Sequence, residues 1–444
     1  MKMGRARIHA AVFCFAIFSS TAVAQEWLKL TPASGEAPTP RRNAAAIYDS
    51  LDHRMIIFGG RTNAGDRNEV WAFDLSSNTW EELTPAAGDA PAPRFTANGI
   101  YDAANHRMLI WSGQGASFFN DVWTFDLTSN AWSQFTPPDP KPNIRYGTAA
   151  IFDPHARDLV TFAGFTDQGR FDDTWRFDID AAIWAKLQLD TYPEKRCLHT
   201  SSYDALNHRM IVYGGQTNGP RGDIWAFDLH QNHWTDLTPD NHPAGRWFAA
   251  SIYEGREHRF IIFGGNLGGS QTNEVRAFRL NEGNWEQLSP TGEGPAAREG
   301  AAAIYVEKEN RMVVFGGRGA SDFNDVWSLN NLARSTGVEG DDNIPAPQSF
   351  RLLGNYPNPL KRSLPFNETV IVYELAQPAH ISMTIYNVIG QPVKNLLNRR
   401  MAAGQHRVRW DGRDETGKKV SSGIYLYRLQ SGGAAVFKKM ILVD

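Results

Sequence analysis

Cysteine is nearly missing from this chain. Two occur in 444 residues, Cys14 and Cys197. Cys14 lies in an apolar N-terminal run and Cys197 in the middle of the chain, so no internal disulfide framework is expected and the core must hold the fold. Beyond the first two dozen residues, no apolar stretch is long enough to span a bilayer. Positive charge is also scarce through the first three quarters. Residues 25–344 hold 28 Lys and Arg against 42 Asp and Glu, whereas residues 345–444 hold 14 against 6. An acidic body supplies no long-range attraction for nucleic acid or an acidic polysaccharide, so neither is expected as a partner.

What the chain has is repetition. Residues 41–80 read as an Arg, then Ala44-Ala45-Ala46-Ile47-Tyr48, Arg54-Met55-Ile56-Ile57-Phe58-Gly59-Gly60, Glu69-Val70-Trp71-Ala72-Phe73-Asp74-Leu75 and Trp80. Short β-branched and aromatic runs bounded by Gly, Asn and Asp predict four strands joined by tight turns. The closing glycine recurs at Gly60, Gly113, Gly164, Gly215, Gly265 and Gly317, with gaps of 53, 51, 51, 50 and 52 residues. A four-stranded unit repeating about every 50 residues cannot bury both faces alone, so the units must stack around an axis. The sixth unit lacks its last strand. Trp27-Leu28-Lys29-Leu30-Thr31-Pro32 matches Trp80-Glu81-Glu82-Leu83-Thr84-Pro85, which predicts that the N-terminal strand closes the ring and hides two free edges.

These glycine doublets, the aromatic downstream and the later Trp resemble kelch repeats. The resemblance implies a six-bladed kelch-type β-propeller, which the N-terminal strand closes. Strand-like runs over 369–375, 381–386, 406–410, 424–429 and 437–443 add a small Ig-like β-sandwich, so the chain is expected to be all-β. The kelch resemblance names no activity, because the fold hosts both enzymes and binding modules. The expected organisation is a signal peptide over 1–24, a propeller over 25–333, a linker over 334–347 and a C-terminal domain over 348–444. The signal peptide is read from Lys2, Arg5 and Arg7, an apolar run from Ala10 to Ile17, and an Ala-x-Ala ending at Ala24.

The blades can be compared with one another. Arg41, Arg94, Arg145, Arg196, Arg246 and Arg298 repeat, as do Glu69, Asp121, Asp173, Asp223, Glu274 and Asp325. Six cations crowded near one axis would repel, so six structural Arg–carboxylate pairs are expected. The residue after each Arg varies: Arg42, Phe95, Tyr146, Cys197, Trp247 and Glu299. Variable aromatics on a rigid ring suit a binding rim, and Phe95, Tyr146, Trp247 and the loop pair Phe118-Phe119 are its expected residues. His53, His106, His208 and His258 recur at matching turns, too far apart to share a metal, and read as turn residues.

Residues 350–444 resemble the C-terminal sorting domain of type IX secretion cargo. The matching stretches are Asn355-Tyr356-Pro357-Asn358-Pro359, Tyr373-Glu374-Leu375, Tyr386-Asn387, Trp410-Asp411-Gly412, Gly423-Ile424-Tyr425 and Lys438-Lys439-Met440. Leu360 to Pro365 reads as an insertion in that pattern. The resemblance implies a bacterial protein exported through outer-membrane secretion machinery, then released or held at the cell surface.

No His-Glu-x-x-His, phosphate loop, Gly-x-Ser-x-Gly or paired cysteines occur. The expected protein is a monomeric, non-catalytic binder of a glycan or protein, with no cofactor, no metal and no transmembrane segment in the mature chain. The alternatives are an enzyme on sugar-like substrates resembling kelch-type sialate epimerases, with His199 or Glu299 as acid or base, and a structural surface component.

Overall fold

The computed structural model describes residues 24–32, 36–83, 89–332, 350–356, 360–361, 368–375, 377–432 and 434–443. The expected signal peptide (but for Ala24), the linker, Pro357-Asn358-Pro359 and most of the insertion lie outside them. Every long element described is a strand.

Six four-stranded antiparallel sheets form the propeller. Blade one comprises Ala45–Asp49, Arg54–Phe58, Val70–Asp74 and Thr79–Glu82. Its first strand, at the channel, alternates buried and half-buried positions. Its second strand buries Met55, Ile56, Ile57 and Phe58 together. That difference follows from the architecture: a middle strand is covered on both faces by neighbouring blades, so its apolar run is continuous rather than alternating. Blade six takes Glu26–Leu30 as its outer strand, with Glu26 opposite Asn330 and Leu30 opposite Val326. The closure is reinforced where Gln25 Nε2 donates to the Leu332 carbonyl at 2.9 Å.

One aromatic contact ties each blade to the blade before it. The outer-strand Trp packs on the aromatic residue two before the closing glycine of the previous blade. The pairs are Trp80–Phe315, Trp132–Phe58, Trp184–Trp111, Trp234–Phe162, Trp285–Tyr213 and Trp27–Phe263, with ring centroids 4.5 to 5.3 Å apart. Tilted and edge-on pairs at this range add about 0.5–1.5 kcal/mol each beyond the area they bury.

A second circle runs through the backbone at one mouth of the channel. Asn43, Thr96, Gly147, Leu198, Phe248 and Gly300 all adopt φ between 53° and 63°. Successive members hydrogen-bond from blade to blade: Asn43 N to Gly300 O, Thr96 N to Asn43 O, Leu198 N to Gly147 O, Phe248 N to Leu198 O and Gly300 N to Phe248 O. Glycine at φ 63° leaves room for the Asn43 side chain of the next blade. A Cβ on Gly300 would sit 2.2 Å from Asn43 Oδ1.

The C-terminal unit packs a three-stranded sheet (Phe350–Tyr356, Thr369–Leu375, Gly404–Trp410) on a five-stranded one. The five-stranded sheet contains Ala379–Asn387, Pro392–Met401, Gly423–Ser431 and Ala434–Val443, with Leu360–Lys361 at its edge. Ile371, Tyr373, Ile381, Met383, Trp410 and Leu429 fill the space between them. Phe350–Tyr356, Leu360–Lys361 and Pro392–Met401 are strands the sequence pattern does not reveal; the last is an edge strand and nowhere fully buried.

Candidate binding site on the loop-bearing face

The frame comes first. Each repeated Arg is almost wholly buried and meets its acid: Arg41–Glu69 at 3.2 Å, Arg94–Asp121 at 2.6 Å, Arg145–Asp173 at 2.6 Å, Arg196–Asp223 at 2.7 Å, Arg246–Glu274 at 2.9 Å and Arg298–Asp325 at 2.6 Å. Nη1 also donates to the carbonyl eighteen residues on, for example Arg145 to Ala163 at 3.0 Å, and Nε donates to the carbonyl two residues back. A planar guanidinium has donors for all of these at once, which an ammonium does not. Burial pushes the Asp173 carboxyl up, but hydrogen bonds from Arg145 and then Trp175 outweigh it and hold the pKa below the usual range. In four blades the Trp two residues after the acid donates Nε1–H to it, as Trp175 does to Asp173 at 2.7 Å. In blade five Arg276 takes that place and pairs with Glu274 at 3.1 Å. With their donors occupied, these six arginines form a rigid base rather than an open anion ring.

The variable residues lie immediately above. Each bridges the residue after its blade's closing glycine: Arg42 with Arg61, Phe95 with Gln114, Tyr146 with Phe165, Cys197 with Gln216, Trp247 with Asn266 and Glu299 with Arg318. All twelve therefore share the face that carries the loops between second and third strands. Three of the expected rim residues come together, but Phe95 is 6% exposed and covered by Arg61, so it supports the cluster from beneath rather than standing on an open rim. Tyr146 stacks on Phe118 with centroids 5.6 Å apart and planes 16° apart, and meets Phe95 at 6.1 Å. Phe165 joins them, edge-on to Tyr146 at 5.7 Å. The Arg61 guanidinium lies 3.6 Å from the Phe95 ring centroid, and Arg170 lies 5.7 Å from that of Phe165.

Two expected residues sit elsewhere. Phe119 packs its ring beneath Arg94 at 3.8 Å, as Phe171 and Phe323 do beneath Arg145 and Arg298. It belongs to the frame. Trp247 stands on blade five, apart from the cluster.

Apart from Trp247, blades five, six and one carry polar rim residues that pair with one another. Arg42 donates to both oxygens of buried Asp322, at 2.7 and 3.0 Å. Asn266 donates to Glu299 at 2.9 Å. The loop-bearing face thus has an aromatic and cationic half on blades one to three and a self-satisfied polar half across blades five, six and one. Cys197 borders the aromatic half. It is 1% exposed, and burial pushes its thiol pKa up. A protonated, buried thiol is a poor nucleophile.

His199 lines a cavity of about 180 Å³ at the channel mouth. Burial, and then the charge of Arg196, lower its pKa to about 3. Neither ring nitrogen has a hydrogen-bond partner. A general base poised for neutral pH requires a pKa near 7, so this imidazole is ill suited to the acid–base role.

Sequence reasoning missed a polar ring on the opposite face. Asp49, Asp102, Asp153, Asp204 and Glu254 end the first strands and are buried. The next blade's turn residue reaches back to four of them: His106 to Asp49 at 3.1 Å, Arg157 to Asp102 at 3.1 Å, His208 to Asp153 at 2.8 Å and His258 to Asp204 at 3.0 Å. The turn histidines therefore brace the blades as well as turn the chain. Val306 occupies the sixth position, and His53 pairs with Glu309 instead, at 2.8 Å. The signal was present as an acid recurring eight residues after five of the six repeated arginines. Among the described residues, Asp49, Asp52 and His106 form a group close enough to share a metal. Asp49 already accepts from Arg54, Tyr101 and His106, so the cluster is accounted for by blade contacts.

The architecture just described is that of a kelch-repeat propeller with an Ig-like appendage. The KLHDC2/KLHL20/DRC7 Kelch-repeats domain matches residues 5–192 and 189–350, and the chain belongs to this kelch-repeat family. The FlgD Ig-like domain matches residues 366–434. Similar curated proteins include the leucine-zipper-like transcriptional regulator 1 homolog of Drosophila melanogaster, 28% identical over 41% of this chain and 19% of that protein. Kelch domain-containing protein 10 of Xenopus tropicalis is 26% identical over 41% of the chain and 47% of its own length. An N-(sulfonatooxy)prop-2-enimidothioate sulfolyase of Thlaspi arvense is 25% identical over 36% and 48%. The chain spans about half or less of the length of these relatives. Kelch relatives are a basis for a protein-binding role of the propeller. No described helix is long and apolar enough to cross a membrane.

Proposed function

We propose that this chain is an exported, non-catalytic binding protein that recognises a protein or glycan through the aromatic half of its loop-bearing face. The observation that carries this reading is the contiguous cluster of Phe95, Phe118, Tyr146 and Phe165 flanked by Arg61 and Arg170. On the other side Arg42 and Glu299 are tied up in internal pairs, as Arg61 is with Asp66 at 2.7 Å. Rigid aromatic side chains on a fixed frame lose little entropy on binding, and aromatics with arginine dominate the energetics of such contacts. Export is supported by the basic start, apolar run and Ala-x-Ala ending of residues 1–24. The C-terminal unit acts in secretion as a sorting domain, a reading supported by its motifs and by its small Ig-like fold.

The test is a broad glycan and protein array probed with the secreted chain and with an F118A/Y146A variant. Binding lost in a variant that keeps its far-ultraviolet spectrum and melting cooperativity supports the proposal. Binding that persists in the variant places the site elsewhere. An empty array overturns the lectin and broad-binder readings together.

A further inference from the structure

We propose that the ligand of the aromatic face is a glycan presenting one acidic sugar, its carboxylate on Arg170 and its ring on the apolar surface of Phe118, Tyr146 and Phe165. The inference rests on the reading above that this face binds, and it adds the chemistry of what is bound. It starts from the distribution of charge. Besides the frame arginines, the loop-bearing face carries Arg42, Arg61, Arg67, Arg170, Arg221 and Arg318. Among the described residues, all but one of these meet a carboxylate within 4.0 Å: Arg42 and Arg318 at Asp322, Arg61 at Asp66, Arg67 at Glu69 and Arg221 at Glu194. Arg170 meets none, and it is the cation that stands beside the aromatic cluster.

Arg170 is held rather than swinging in solvent. Its guanidinium lies 5.7 Å from the Phe165 ring centroid and beside the Cys197 thiol of the next blade. Its Nε is screened from solvent and has no hydrogen-bond partner. The planar fork is therefore fixed, charged and without a counter-ion, which suits it to bidentate capture of a carboxylate at little entropic cost. Two amides border the same rings. Gln114 and Gln216 follow the closing glycines of blades two and four, on either side of the Tyr146–Phe165 bridge of blade three. The Gln114 side chain makes no hydrogen bond among the described residues. Gln216 takes only a 4.0 Å contact from the Cys197 thiol. Each amide thus keeps a donor and an acceptor for a ligand.

Aromatic surface takes the C–H face of a pyranose, and one free guanidinium takes one carboxylate. A neutral sugar leaves Arg170 without its counter-ion. A polyanion is disfavoured by the propeller itself, with 28 Lys and Arg against 42 Asp and Glu over residues 25–344. Vicinal ring hydroxyls present a donor and an acceptor side by side, as the edge of a carboxamide does. The amides therefore favour the sugar over an acidic peptide, which is the competitor the experiment includes.

The experiment titrates the full chain, by ligand-observed NMR and calorimetry, with methyl glucuronide and methyl galacturonide. Methyl glucoside and methyl galactoside are the neutral counterparts, and the tripeptide Gly-Glu-Gly is the competitor. At least one uronide should bind about tenfold or more tighter than its neutral counterpart. R170Q should erase that preference, weakening the uronide by about tenfold and the neutral sugar by less than about twofold. R170K keeps the charge without the fork and should recover part of the preference, which tells loss of charge from a fold defect. R221Q, at an arginine already paired with Glu194, should change neither sugar by more than about twofold. A uronide bound no tighter than its neutral counterpart, unchanged in R170Q, or not bound at all overturns the proposal. So does a tripeptide that binds as tightly as the uronide, which assigns a protein ligand to the same arginine. The reading of the face as a binding surface fails separately. It falls if F118A/Y146A binds the uronide as wild type does, and it stands if F118A/Y146A loses an array ligand that R170Q keeps.

Discussion

At the scale of single residues, the propeller spends its charge on rigidity. Asp173→Ala would leave Arg145, 1% exposed, without its counter-ion. Removing one partner of a buried pair typically costs about 3–5 kcal/mol, far more than the pair contributes over an apolar replacement. Urea unfolding of that variant should show this loss with an unchanged denaturant slope. His199 offers a second, pH-resolved test. Its folded pKa of about 3 lies below its unfolded value of about 6.5. The unfolded chain therefore takes up a proton that the fold refuses. Stability is complete above the unfolded value and declines as pH falls toward the folded one, by about 2 kcal/mol between pH 6.5 and pH 5. Four of the other blades have alanine at this position (Ala44, Ala97, Ala249 and Ala301). His199→Ala should remove that part of the slope, measured as unfolding free energy from pH 8 to pH 5. An identical slope in the variant would assign the dependence to other groups.

At the scale of elements, the strands and their order were legible because repetition multiplies a weak signal. One run such as Arg54-Met55-Ile56-Ile57-Phe58 is ambiguous between strand and buried helix; six copies at fixed spacing are not. The closing strand could be found because Trp27 sits where Trp80 sits in its own repeat. Its packing on Phe263 was not legible, since contact across blades depends on how the sheets stack. Trp27→Ala should cost about 3–5 kcal/mol, as for other large-to-small changes in a core. It should also free the outer edge of blade six, giving faster amide exchange over Val326–Asn330 than over Val122–Asp126 of blade two. Uniform exchange would show that the closure does not depend on this side chain. The candidate site was legible only in part. Phe95, Phe118 and Tyr146 announced themselves as departures from the repeat. Phe119, beside Phe118 in sequence, points instead to Arg94. Successive residues of an extended segment face opposite ways, and nothing in the composition of a Phe-Phe pair says which ring turns outward. Arg61 follows its closing glycine and reaches the cluster only through cross-strand pairing with Arg42.

At the scale of the molecule, two units of opposite charge are joined in one chain, an acidic propeller and a basic sandwich. The propeller's symmetry is what gives its departures meaning. Six equivalent frames hold six rim positions, and the chain gathers an aromatic cluster on blades two and three while Arg42 and Glu299 of blades one and six are held in internal pairs. The central claim is that the aromatic half is the binding surface. The measurement that tests it most directly compares single variants across the two halves against a ligand from the array, by calorimetry. F118A and Y146A should each weaken binding by about tenfold or more, as truncation of a central aromatic anchor does. E299Q and R318A, on the paired half, should change it less than about twofold. The opposite ranking, with the polar half carrying the affinity and the aromatic half silent, would contradict the account.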